Sequence, residues 1–133
     1  MGNFYYPLRS GRGTGLRGGG VVMRSLDELL EIEGVVAAGD FTDDGRLVNY
    51  RTKVGMTDDA AAMWAELCAP VNVMFETLAE QFMRYSEMDW KPQKGWAYTG
   101  GEWTIAVGGH RGVLVETAKA DFNSLFRILV SGE

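Results

Sequence analysis

Residues 58–88, DDAAAMWAELCAPVNVMFETLAEQFMRYSEM, form the longest stretch of the chain with a regular apolar pattern. Apolar residues recur in it every three or four positions, as they do along one side of an amphipathic helix. Thr57 stands where it can cap the helix start, and Asp58 and Asp59 suit the positive end of the helix dipole. The stretch therefore predicts one long helix. We call its main apolar row the long-helix stripe: Ala60, Trp64, Leu67, Val71, Met74, Leu78, Phe82 and Tyr85.

The long helix is apolar over more than one side. Further apolar residues lie beside the stripe, at Met63, Cys68, Val73, Phe75, Ala79 and Met83. A helix that is apolar over so much of its circumference packs against two surfaces. We interpret one as the chain's own sheet and the other as a second subunit, with a dimer interface at Trp64, Leu67, Val71, Met74, Leu78 and Phe82. Pro70 is predicted to bend the helix.

Composition places the chain among ordinary globular domains. Of its 133 residues 46% are hydrophobic and 23% are charged, and no apolar run approaches the ~20 residues of a membrane span. Residues 1–22 carry three arginines and no acid, so the remainder carries 10 basic and 18 acidic residues. That acidic body argues against nucleic acid as a partner. A single cysteine excludes an internal disulfide framework, and we infer a cytoplasmic protein.

The chain divides into an extension and one domain. Residues 1–22 contain GRGTGLRGGG and no periodic apolar pattern, which predicts a disordered Gly/Arg-rich extension. The domain, residues 23–133, opens with a capping box at Ser25 and Glu28, followed by a short helix that Gly34 stops. Gly45, in the turn between the first two strands, is predicted to take a positive φ. In the second strand Val48, Tyr50, Thr52 and Val54 are predicted to be buried. The predicted strands are 35–42, 47–54, 96–99, 103–107 and 113–117, and the last helix is 121–130.

Residues with catalytic potential each have a simpler explanation. His110 is the one histidine and lies in a glycine-rich turn, so we interpret it as a solvated turn residue rather than a metal ligand. Cys68 lies beside the stripe without a basic neighbour in sequence, which favours a buried structural thiol. Asp43 and Asp44 fit a turn, and Asp58 and Asp59 fit a helix start. We predict no catalytic residue, no metal site and no cofactor.

Three tryptophans lie in the loop after the long helix or in the strands that follow it. Trp96 and Trp103 are predicted to pack in the core, whereas Trp90 lies in a polar loop that a core does not explain. Aromatic side chains on loops often anchor interfaces. We therefore predict partner binding by Trp90, with a positive rim from Lys91 and Lys94. A ligand pocket for a small-molecule sensor in the Trp90–Trp103 region is an alternative.

The order of elements and two local motifs resemble the roadblock family, which includes dynein light chains and bacterial regulators of GTPases. The motifs are LDELLEIEGVVAAGDF at residues 26–41 and DDGRLV at 43–48. The resemblance covers roughly residues 23–133 and implies an α+β, roadblock (profilin/longin-like) fold. That fold has a five-stranded antiparallel sheet, a long central helix and short first and last helices. It also implies a homodimer that pairs long helices and joins edge strands. Pro70 departs from the family pattern.

The run at residues 29–50 is more narrowly similar to a small bacterial family associated with sulfur oxidisers. That likeness implies a non-enzymatic scaffold or accessory subunit of a heterodisulfide-reductase-like complex, with iron–sulfur oxidoreductase subunits as partners. The chain itself would hold no cluster, because one cysteine cannot ligate one. The alternatives are a regulator of a small Ras-like GTPase, which the roadblock resemblance implies, and a sensor.

Overall fold

A computed structural model describes residues 24–131 of the chain. The predicted extension, residues 1–22, lies outside the described residues. The elements are, in chain order, α1 (Leu26–Leu29), β1 (Val35–Phe41), β2 (Leu47–Thr52), α2 (Asp58–Tyr85), β3 (Gly95–Gly100), β4 (Trp103–Gly108), β5 (Arg111–Glu116) and α3 (Phe122–Ser131). A short 3-10 helix, Thr117–Lys119, precedes α3.

The five strands form one antiparallel sheet in the order β2-β1-β5-β4-β3, so β2 and β3 are its edges. Neighbouring residues of a strand point to opposite faces. Ala106 packs with α1 and α3, whereas Val107 packs with α2. The long helix therefore covers one face and the two short helices cover the other. This architecture confirms the predicted α+β fold.

The larger core lies between the sheet and the two short helices. Its buried residues are Leu26, Leu29, Val35, Ala38, Ala106, Val113, Val115, Leu125 and Leu129. The smaller core lies under α2 and consists of Phe41, Ala65, Cys68, Ala69 and Val107. Most of the buried aliphatic volume is thus on the face opposite α2, so α2 is the less deeply packed element.

The capping box predicted at the start of the domain is present at the beginning of α1. The Ser25 hydroxyl accepts a hydrogen bond from the Glu28 amide at 3.1 Å, and the Ser25 amide donates to Glu28 Oε1 at 2.9 Å. This is the reciprocal capping box. The helix itself ends at Leu29, earlier than the predicted stop, and hydrogen-bonded turns lead to Gly34, which has φ +90°.

The hairpin between β1 and β2 depends on Gly45, whose φ of +87° confirms the prediction. A Cβ at this position would also lie 3.3 Å from the Cα of Glu66 on α2. Gly45 therefore permits both the turn and its close packing against the helix.

The predicted burial of β2 is correct for two of its four positions. Tyr50 and Thr52 are buried, whereas Val48 and Val54 are exposed. Val48 lies opposite an irregularity in the β1 pairing between Asp40 and Phe41, and Val54 follows the strand end at Thr52. Strict alternation fails at both places because the regular ladder is interrupted or has ended.

α2 is one helix that contains Pro70 and ends at Tyr85, three residues before the predicted end. The Thr57 hydroxyl accepts from the Ala60 amide at 3.1 Å, which confirms the cap. At the other end Ser86 takes an extended backbone conformation, and its hydroxyl donates to the Phe82 carbonyl at 2.6 Å. Pro70 is exposed, so the Glu66 carbonyl that lacks its helical donor lies on the solvent side.

Candidate interaction surface

The side of α2 that faces the sheet is built from small residues. Its buried positions are Ala61, Ala65, Cys68, Ala69 and Ala79. Small side chains let the helix backbone approach the sheet closely. Most of the long-helix stripe therefore lies on a different side of α2, and of its residues Trp64 packs against the smaller core.

The long-helix stripe lies on another side of α2 and is largely exposed. Leu67 is 60% exposed, Met74 59%, Leu78 43%, Phe82 42% and Tyr85 79%. Ala60, Trp64 and Val71 are half-buried. An exposed row of large apolar side chains marks an interaction surface more often than a surface that faces water. Among the predicted interface residues, four are exposed and two are half-buried, so all six are at least partly available to a partner.

The apolar surface continues from α2 onto the edge of the sheet. Trp96 on β3 packs against the core under α2, and its ring lies 5.9 Å from that of Phe75. Tyr98 is two residues further along β3, on the same side of the sheet, and is 64% exposed. Trp103, opposite Gly100 in the β3–β4 ladder, is also exposed, so its predicted burial in the core is wrong. We call Trp96, Tyr98 and Trp103 the β3 edge patch.

Residues 86–94, the return loop, fold back along α2. The Trp90 ring lies 4.8 Å from that of Phe82, and its indole N–H donates to the Ser86 hydroxyl at 3.3 Å. The backbone N–H of Gln93 donates to Glu76 Oε1 at 3.0 Å. The loop thus places an exposed face of Trp90 beside the end of the stripe.

Lysines of the return loop differ in their surroundings. Lys91 Nζ lies 3.1 Å from Glu80 Oε2 and 3.7 Å from Glu76 Oε2. The hydrogen bond with Glu80 raises the pKa of Lys91. Its charge is therefore directed at α2 and is matched within the chain, which weakens its predicted part in a positive rim. Lys94 is exposed, and its carbonyl accepts from the Gly109 amide at 3.3 Å.

The thiol of Cys68 is buried, as predicted, and this burial raises its pKa to about 11. A small apolar cleft beside the thiol is lined by Gly39, Phe41, Trp64 and Gly112, among others. A thiol with so high a pKa is a poor nucleophile at neutral pH.

We expect Cys68 to react slowly with iodoacetamide in the folded protein. At pH 8 a pKa of about 11 leaves ~0.1% of the thiol ionised, against roughly 10% for the ordinary value of 9.0. Alkylation, followed by mass spectrometry, should therefore be at least ~100-fold slower in the folded state than in urea. Equal rates in buffer and in urea would show that the thiol is accessible and ionised.

His110 remains a turn residue with a local partner. Its Nε2 pairs with Asp43 in the neighbouring turn, and its ring meets Phe41 edge-on at 5.6 Å. Across residues 24–131 no three His, Cys, Asp or Glu side chains converge as metal ligands would. None of the helices in that range is long and apolar enough to cross a membrane.

Two polar residues of α2, Asp58 and Asn72, make side-chain contacts that the sequence did not predict. Tyr50 on β2 donates to Asp58 Oδ1 at 2.8 Å, and Asn72 contacts both the β4–β5 turn and β3. A sequence signal for Asn72 existed, because it follows Ala61, Ala65 and Cys68 at the helical spacing of the sheet-facing side. A polar residue in such a row indicates a specific contact with the sheet.

Comparison with known protein families gives the chain's relationship. The sequence profile of a family described as "Uncharacterized conserved protein (DUF2173)" matches residues 25–131. The chain belongs to the DUF2173 family. No curated protein matches this DUF2173 chain.

Solved structures similar to this DUF2173 chain share the roadblock fold. It is similar to a Roadblock/LC7 domain from Streptomyces avermitilis, with 12% identity and a TM-score of 0.58 over 80% of this chain and 85% of that one. The gliding protein MglB of Thermus thermophilus has 14% identity and a TM-score of 0.60 over 76% of each chain. A structure described as MglB with tetrameric arrangement has 14% identity and a TM-score of 0.59 over 81% and 87%. These likenesses confirm the predicted fold.

Proposed function

We propose that this protein is a non-enzymatic, homodimeric scaffold or accessory subunit of a cytoplasmic protein complex. The observation that carries the proposal is the exposure of the long-helix stripe along a single helix. Pairing would remove a large apolar area of Leu67, Met74 and Leu78 from water. Each Å² of apolar surface buried in this way stabilises the dimer by roughly 25 cal/mol. A second copy would present the same apolar stripe, so two stripes facing each other would form the two-fold interface.

The β3 edge patch would extend that dimer interface. β3 is an edge strand, and its backbone groups on the outer side are available for pairing with another strand. Tyr98 and Trp103 supply apolar area beside that edge. The tetrameric arrangement named for one MglB structure is consistent with a fold that self-associates.

The client would bind at the return loop. Trp90 stacks on Phe82 and keeps 41% of its surface exposed, which suits an aromatic anchor in a partner's pocket. Contacts to Glu76 and Glu80 on α2 hold the loop in place, so little conformational freedom is lost on binding. Lys94 adds an exposed positive charge to this region.

We further propose a heterodisulfide-reductase-like sulfur-oxidation complex as the client, with iron–sulfur oxidoreductase subunits as partners. Its support is the resemblance of residues 29–50 to a family associated with sulfur oxidisers. A gentle affinity purification from native cells, with mass spectrometry, tests it. Recovery of iron–sulfur subunits in near-equal amounts is expected, and recovery of the protein without them would contradict this client.

Regulation of a small Ras-like GTPase is the second candidate. The fold likeness and the resemblance to roadblock regulators favour it. Such a regulator can act by positioning the GTPase's own groups, so this function does not require an arginine finger. GTP hydrolysis by a candidate GTPase should change when the dimer is added, and an unchanged rate would exclude this function for that GTPase.

The sensor alternative has less support. Trp90 packs against Phe82, whereas Trp96 packs against Phe75, so these two tryptophans contact separate positions on α2. A ligand pocket would instead require them to converge. Tryptophan emission that is insensitive to a panel of metabolites would be the expected result.

A further inference from the structure

The packing of α2 on the sheet is mostly non-directional. Ala61, Ala65 and Ala69 present only methyl groups to the strands, and such contacts tolerate small sliding movements of a helix. The proposed dimer interface is split between the long-helix stripe on α2 and the β3 edge patch on the sheet. Its shape therefore depends on how α2 is placed relative to β3.

One side chain joins these two parts. Asn72 Nδ2 donates to the Gly109 carbonyl in the β4–β5 turn at 2.8 Å, and Asn72 Oδ1 accepts from the Trp96 indole N–H on β3 at 2.7 Å. Gln93 Nε2, from the return loop, lies 3.5 Å from the same oxygen.

The chemistry of the partners fixes the orientation of this amide. An indole N–H can only donate and a carbonyl can only accept, so Oδ1 must face Trp96 and Nδ2 must face Gly109. An aspartate would lose the donor to Gly109, and an apolar residue would lose both bonds. The site therefore requires a short side chain with one donor and one acceptor.

The location of Asn72 connects it to both apolar surfaces. It directly follows Val71 of the stripe, and Phe75, less than one turn later, packs on the Trp96 ring. Trp96 is itself part of the β3 edge patch. A displacement of Trp96 would thus move the sheet half of the interface relative to the helix half.

We infer that Asn72 is a positioning residue for self-association, which holds the β3 edge patch and the long-helix stripe in the arrangement that a second copy of this chain binds. This inference rests on the proposed homodimer. Preorganisation of the two halves reduces the ordering cost of association.

The test compares Asn72→Leu with Tyr50→Phe. Asn72→Leu removes both hydrogen bonds and keeps the number and branching of the side-chain heavy atoms. We expect a folded protein whose dimer Kd is raised ~10-fold or more. Tyr50→Phe removes the 2.8 Å bond between Tyr50 and Asp58, which joins α2 to the opposite edge of the sheet. It should lower the thermal midpoint and leave the dimer Kd within ~3-fold of wild type, because β2 is outside the proposed interface. Circular dichroism and sedimentation equilibrium provide the two readouts.

Trp96→Phe supplies an independent variant in case Asn72→Leu does not fold. It keeps a ring against Phe75 and removes the N–H donor, so it should also raise the dimer Kd. Its effect should add less than fully to that of Asn72→Leu, since both changes break the bond between Asn72 and Trp96. Full additivity would mean that Trp96→Phe acts only by trimming the β3 edge patch.

Three outcomes would overturn the inference. Wild-type Kd values for folded Asn72→Leu or for Trp96→Phe would show that the contact does not position the interface. An equal rise in Kd for Tyr50→Phe would show that dimer loss follows general destabilisation. A wild-type protein that stays monomeric at high concentration would refute both the proposed homodimer and the inference. The first two outcomes would refute the inference alone.

Discussion

Leu78→Asp is expected to give a folded monomer. In the single chain Leu78 is 43% exposed, so a carboxylate there costs little in folding. In the proposed two-fold dimer the substitution enters the interface twice, and each buried, unpaired carboxylate costs several kcal/mol. The dimer Kd should rise by ~1,000-fold or more. Sedimentation equilibrium measures the Kd, and circular dichroism establishes that the helix content is retained.

Val73→Asp is the matched control for this change. Val73 is an exposed apolar residue of the same helix, 64% exposed, and it lies five positions from Leu78. At ~100° per residue the two side chains are separated by ~140° around the helix. The control adds the same charge outside the long-helix stripe and should leave the Kd unchanged. A dimer of wild-type affinity in Leu78→Asp would mean that the stripe faces water in solution.

The sequence predicted the helix and its apolar width, but the stripe alone did not identify the side that packs on the sheet. The apolar periodicity of residues 58–88 is set mainly by large apolar residues, and these lie in the long-helix stripe. The buried side is instead built from Ala61, Ala65, Ala69 and Cys68, because close contact between a helix and a sheet requires small residues. Capping residues and turn glycines were predictable because their effects are local. The structure confirmed Ser25, Thr57 and Gly45 in those roles.

The candidate partner site illustrates what local sequence does not contain. Lys91 was predicted as part of a positive rim, yet its charge is paired with Glu76 and Glu80, which precede it by 15 and 11 residues. That pairing depends on the reversal of the chain after α2. Trp103 was expected in the core, but it is 39% exposed. The burial of Trp103 and the ion pairs of Lys91 both depend on tertiary packing, which residue spacing does not determine. The part of Lys91 in partner binding stays a prediction.

Gly108→Ala is expected to destabilise the fold strongly. A Cβ on Gly108, at the end of β4, would lie 2.7 Å from the Leu129 carbonyl oxygen and 2.8 Å from its carbonyl carbon. These are backbone atoms of α3, so the clash cannot be relieved by rotation of a side chain. The whole helix must move away from the sheet, which separates Leu125 and Leu129 from the larger core. We expect a loss of about 3 kcal/mol in the free energy of unfolding, measured by urea titration.

Gly55→Ala is the control for that prediction. Gly55 lies in the loop between β2 and α2, where a Cβ would meet nothing within 4 Å, and the change should alter stability by less than ~0.5 kcal/mol. An unchanged urea midpoint for Gly108→Ala would mean that α3 does not approach β4 as described. Gly108 faces α3, whereas the proposed interface lies on the α2 side. The folded fraction of Gly108→Ala should therefore dimerise with the wild-type Kd. Leu78→Asp should weaken association without unfolding the chain, whereas Gly108→Ala should weaken folding without changing the dimer Kd.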